Sequence, residues 1–146
     1  MNIARNTILL LKRFPLTALC IVAIWVLCLF NPPQTPMDEV PLMDKWVHIA
    51  MYGGTMSIFW TEYWLSRKGG NTFSKLQKAS IGVLAPILMS IVIELIQEYC
   101  TGGRRSGDWQ DVVANSTGVF LALLLGQTVI KNTVRKYKLN KDEKKS

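Results

Sequence analysis

Asp44, His48 and Tyr52 stand at i, i+4 and i+8, a spacing that puts all three side chains on one face of a helix. A carboxylate one turn from an imidazole fixes its tautomer and raises its basicity, which is the arrangement of a general base. Glu94, Gln97 and Glu98 recur at i, i+3 and i+4, and Asp108, Asp111 and Asn115 at i, i+3 and i+7. Arg104 and Arg105 come shortly before Asp108, and guanidinium forks suit phosphate or carboxylate groups. One histidine, several carboxylates and two arginines together suit proton transfer on an anionic substrate. In that reading His48, oriented by Asp44, is the base and Glu94 the proton donor. An arginine of the pair clamps the anion, and Gln97, Glu98, Asp108, Asp111, Asn115 and Tyr52 bind or position it.

Each residue also has a plainer role. Asp44 and Asp108 suit helix N-termini, the arginines suit a headgroup layer, and Asn115 suits a hydrogen bond between helices. Glu94 lies inside an apolar run, so it is paired with a cation or protonated. Other chemistries lack their motifs. No Gly-x-Ser-x-Gly elbow or His-Glu-x-x-His pair occurs, and Thr101-Gly102-Gly103-Arg104-Arg105 lacks the spacing of a nucleotide loop. Asp44, His48, Glu94 and Glu98 form a carboxylate–histidine set of the type helical bundles use for metals, but no metal or cofactor is implied.

These residues must be positioned by apolar segments. Residues 14–30, 79–93 and 112–130 contain no charge, and 46–65 contains only Glu62 and His48. About 20 apolar residues span a ~30 Å hydrocarbon core. The 146 residues therefore read as a single domain, an all-α membrane protein with four transmembrane helices over about 14–30, 44–65, 77–99 and 110–130. A soluble, disordered or disulfide-stapled domain is excluded by the same pattern. The first block ends in bulky Cys28-Leu29-Phe30, without a small-x-small cleavage site, and reads as an uncleaved span.

Fourteen of the seventeen basic residues fall before the first block, between the second and third, or after the fourth. The positive-inside rule then places both termini and the middle loop of this multi-pass protein in the cytoplasm. Seven of ten acidic residues fall on the opposite, outer side, so the three polar faces converge on one outward pocket. The basic tail, 131–146, reads as an anchor to anionic membrane lipids rather than a nucleic-acid patch. Cys20 and Cys28 read as packing residues, and Cys100 is alone outside.

Local signals give the ends of the helices. Pro15 suits a first turn, Asn31-Pro32-Pro33 stops the first helix, and Ser74 starts the third. Pro86 predicts a kink inside the third helix, and Asp108 an N-cap for the fourth. Ala114, Gly118, Ala122 and Gly126 make a stripe of small residues that lets another helix approach closely.

The series Asp44-Lys45-x-x-His48-x-x-x-Tyr52, Glu94-x-x-Gln97 and Arg105-x-x-Asp108-x-x-Asp111-x-x-x-Asn115-x-x-Gly118 resembles the VanZ-like family. These are small bacterial membrane proteins named for a teicoplanin-resistance protein. The resemblance covers about residues 40–127 and includes size and four-span layout. Gly102-Gly103 and the additional Arg104 depart from the pattern, and Arg105 is the better match for the family's arginine. The resemblance implies which residues are functional and a place in the bacterial inner membrane. Joined to their chemistry, it makes a cell-envelope amphiphile, a lipid-linked phosphate or a lipoglycopeptide such as teicoplanin, the expected ligand, with a contribution to antibiotic resistance. The alternative is a non-enzymatic protein whose polar cluster is an internal ion-pair network. A homodimer is an expected assembly for so few spans.

Overall fold

The computed structural model describes residues 11–30, 42–67, 73–102 and 106–144, all-helical without a strand among them. Four long helices follow one another: α1 Pro15–Leu29, α2 Met43–Ser66, α3 Lys75–Cys100 and α4 Trp109–Glu143. Residues 11–13 are helical too, ahead of the break at Phe14. By length and composition α3 and α4 can cross a membrane, whereas α1 is apolar but shorter, at 15 residues. In α2 the apolar residues are diluted by Asp44, Lys45, His48 and Glu62.

Burial is inverted relative to a water-soluble domain. His48, Ser90, Glu94, Gln97, Asp111 and Asn115 are buried, while Leu19, Val22, Leu88, Leu95, Leu121 and Leu124 are exposed. An apolar surface of this extent marks contact with lipid or another apolar partner.

Local chemistry explains the helix starts. Pro15 occupies the first turn of α1. Ser74 caps α3 in a capping box: its hydroxyl accepts the Gln77 amide at 3.1 Å, and Gln77 Oε1 accepts the Ser74 amide at 2.9 Å. Asp108 caps α4, accepting the Gln110 amide at 2.8 Å. Asp44 is not the cap of α2: the helix starts at Met43, leaving Asp44 in the first turn, where a negative charge favours the dipole.

Pro86 is accommodated by a π turn over Ser80–Leu84, in which the Ala85 amide reaches back to the Ser80 carbonyl. A second π turn spans Gly126–Ile130 in α4. The indole of Trp60, fully buried, lies against both turns. A Cβ on Gly82 would stand 2.6 Å from its ring, and one on Gly126 2.4 Å. Trp64 Nε1 donates to the Gly126 carbonyl at 2.8 Å, satisfying a backbone group in that irregular turn.

The small-residue stripe of α4 packs on α2. A Cβ at Gly118 would stand 2.5 Å from the Ile49 carbonyl oxygen and 2.8 Å from the Gly53 nitrogen, so the two backbones touch there. The expected tail at 131–146 is not a separate segment through residue 143, because α4 runs unbroken to Glu143. Lys138 Nζ donates to the carbonyls of Trp64 and Arg67 at 2.9 and 2.8 Å, capping the C-terminus of α2.

Helix α1 is held at both ends. Glu62 accepts the amides of Leu16 and Thr17 at 2.9 and 3.1 Å and the Thr17 hydroxyl at 2.6 Å. At the other end Gln97 Nε2 donates to the Cys28 carbonyl at 2.7 Å. Between these ties, α1, α2 and α3 enclose an apolar cavity of about 170 Å³ lined by Ile21, Ile24, Tyr52, Met56, Pro86 and Met89.

Candidate functional site

The start of α2, the end of α3 and the start of α4 meet in one polar cluster. Its hub is Lys45, which bonds Asp44 Oδ2 at 3.3 Å, Asp108 Oδ2 at 2.6 Å and Asp111 Oδ1. The Lys45 ammonium, with the Gln110 amide, holds the Asp108 carboxyl below the usual carboxylate range.

His48 is fixed by a buried chain of hydrogen bonds. Its Nδ1 lies 3.0 Å from Asn115 Oδ1, and Asn115 Nδ2 donates to Ser90 Oγ at 2.8 Å. With Nδ2 on Ser90 the amide oxygen faces the imidazole, an orientation that suits the Nδ1–H tautomer. The lone pair of Nε2 then faces Asp44 Oδ1 at 3.6 Å and Asp111 Oδ2 at 3.5 Å. Asn115 therefore takes the orienting role expected of Asp44, which stands at the other ring nitrogen.

Glu94 and Glu98 tie the loop to α3. Glu94 Oε2 accepts the Asp108 amide at 3.0 Å, and Glu98 Oε2 accepts the Gly107 amide at 2.9 Å. Glu94 Oε1 is buried without a hydrogen-bond partner. A Cβ on Gly107 would stand 2.5 Å from the Glu94 carbonyl oxygen, which is why this loop can lie so close to α3.

Of the expected site residues, Asp44, His48, Asp108, Asp111 and Asn115 come together, with Glu94 and Glu98 joined through the loop amides. Gln97 points elsewhere, committed to α1. Tyr52 lines the apolar cavity, its hydroxyl buried and unpartnered, one turn from His48. Arg104 and Arg105 lie outside the described residues. Lys45 and Ser90 were not among the expected site residues. Lys45 had a signal, since it follows Asp44 within the Asp-Lys-x-x-His series, whereas Ser90 had none.

Chemically, the cluster offers an imidazole lone pair aimed between two carboxylates, backed by a single ammonium. Neither a family model, nor a curated protein, nor a solved structure matches this chain.

Proposed function

We propose that this chain is a four-span protein of the bacterial inner membrane, of the VanZ-like type, whose polar cluster faces outward and engages a cell-envelope amphiphile. The carrying observation is the junction at Tyr52. One turn from His48, it belongs both to the polar helix face and to the wall of the 170 Å³ apolar cavity. A headgroup site beside an apolar recess is what an amphiphile requires. The recess is comparable to engineered apolar cavities of ~150 Å³ that take up a benzene-sized guest, so it receives part of a tail. The ligand is a lipid-linked phosphate or a lipoglycopeptide, with Arg104 and Arg105 supplying positive charge three to four positions before Asp108 in the chain. Exposed leucines around buried polar groups support the membrane assignment, and the distribution of basic residues supports cytoplasmic termini.

Native mass spectrometry of the detergent-purified protein with its co-purified lipids tests this, wild type beside His48→Ala and the cavity-filling Met89→Trp. The expected result is an anionic amphiphile retained by the wild type and lost from both variants while their abundance and helical content are kept. Bulk phospholipid alone, the same in all three, would overturn it.

A second reading is favoured by one observation. Lys45 bonds both its neighbour Asp44 on α2 and two carboxylates of α4, while Glu94 and Glu98 hold the loop, so the cluster is also a latch between helix ends. If latching is its whole purpose, the same substitutions lower abundance and melting temperature while leaving lipid content alone.

A further inference from the structure

We infer that Asp44 Oδ1, His48 Nε2 and Asp111 Oδ2 form a binding site for a first-row divalent cation of the Zn²⁺ or Mn²⁺ class. One ligand atom from each of these three residues lies within 4.8 Å of the other two. Metal–ligand bonds of ~2.0–2.2 Å place tetrahedral ligand atoms about 3.3–3.6 Å apart. The two separations from Nε2, 3.5 and 3.6 Å, fall in that range.

The histidine carries the inference further than the carboxylates do. Asn115, held by Ser90, takes the Nδ1 proton and leaves Nε2 as a lone pair in a residue only 7% exposed. Nε2 is aimed between two carboxylates at 3.5 and 3.6 Å, with a hydrogen bond to neither, an arrangement that a cation between them completes. A metal-bound histidine characteristically gives its other N–H to an acceptor in this way.

Lys45 bonds Asp44 Oδ2 and Asp111 Oδ1, leaving the opposite oxygen of each carboxylate turned to His48. Asp44 and Asp111 bring two carboxylates to the imidazole and share the ammonium of Lys45 with Asp108, so a divalent cation at Nε2 is electrostatically favoured. Asp44, with a side chain 64% exposed, opens the site to solvent and gives the ion a way in. Three protein ligands leave one coordination position free. A cation there also reconciles an acidic cluster with a phosphate ligand, a step that rests on the amphiphile reading. Metal binding by lipid-stripped protein tests the cation alone.

The experiment is titration of chelator-treated, detergent-purified full chain with Zn²⁺ and with Mn²⁺. It is read by metal content after desalting, by calorimetry and by melting temperature. The expected result is one ion per chain and a rise in melting temperature. Affinity should fall about 10–100-fold in Asn115→Ala, which removes the orienting acceptor without replacing a ligand. Asp44→Asn replaces an exposed ligand and leaves the fold intact, so it should lose retained metal without a loss of apo-protein stability. Absence of retained metal with no thermal shift in the wild type would overturn the site, as would binding unchanged in Asp44→Asn. An imidazolium signature for His48 in the ¹⁵N spectrum at neutral pH, unaltered by added metal, would identify a proton as the occupant and equally overturn it.

Discussion

Gly118→Ala probes the contact that sets the spacing of α2 and α4, and its effect can be worked from the structure. The added Cβ would lie 2.5 Å from the Ile49 carbonyl oxygen, whereas ordinary contact begins at 3.4 Å, so the backbones must part by the difference, about 0.9 Å. Both neighbours are main-chain atoms, and no side-chain rotation relieves the clash. Ile49 follows His48, and Asn115 lies one turn before Gly118. The same displacement carries the 3.0 Å His48–Asn115 contact to about 3.9 Å, beyond hydrogen-bond range. Overpacking costs about 1–3 kcal/mol and the lost buried hydrogen bond roughly 0.5–1.5 kcal/mol. Replacing a helical glycine by alanine also returns about 1 kcal/mol of propensity, which must be separated out. Gly54→Ala on α2 does so, because nothing lies within 4 Å of its Cβ. The difference between the two variants should therefore be roughly 1.5–4.5 kcal/mol in reversible denaturant unfolding in detergent. The ¹⁵N spectrum of His48 should lose its Nδ1–H tautomer preference in Gly118→Ala alone. Equal stability of the two variants, or an unchanged tautomer, would refute the claim that this contact spaces the helices and aligns the imidazole.

Three more outcomes follow from the same geometry. Asp108 has a native pKa below its unfolded value. Its contribution to stability is therefore complete above the ordinary carboxylate pKa of ~3.9 and is lost as pH falls through the depressed native value. An acid titration of the unfolding midpoint should fall less steeply in Asp108→Asn than in the wild type. Glu62→Ala removes three hydrogen bonds at the start of α1 and should cost about 1–3 kcal/mol. Hydrogen exchange should show lost protection in the first turns of α1 and none at the polar cluster. Lys138→Met keeps the aliphatic stem but frees two carbonyls at the end of α2, costing about 0.5–1 kcal/mol and speeding amide exchange at residues 63–67.

Helix ends were readable in the sequence wherever one residue carries the whole signal. Pro15, Ser74 with Gln77, and Asp108 each satisfy or avoid a backbone donor locally, without help from the rest of the chain. The convergence of Asp44 and His48 with Asp108, Asp111 and Asn115 was readable because each set shares a helix face and both faces lie at helix starts. Asn115 as the partner of Nδ1 was not, since a tautomer depends on a contact between helices that spacing cannot express. Lys45 was visible in the Asp-Lys-x-x-His series, but only the fold sets it among three carboxylates. Glu62 has no role assigned by the sequence and Gln97 reads as a site residue, yet both are spent on the ends of α1. The π turns leave no mark in hydropathy, because one extra residue is smaller than the window in which periodicity is detected.

Those two turns bear on how the chain tolerates changes of length. A π turn holds one residue more than an α turn, so α3 and α4 each contain a position surplus to a regular helix. Removing any other residue from α4 rotates everything beyond it by ~100°, carrying Asp111 and Asn115 off the face they share or turning the Lys138 end away from α2. Removing one residue within Gly126–Ile130 instead restores an ordinary turn and keeps both halves of α4 in phase with α2. It also closes the recess that receives Trp60, so a chain shortened there needs a smaller residue at position 60. Deletion and side-chain size are thereby coupled: this protein can lose a residue from the middle of α4 only if it also gives up its central indole.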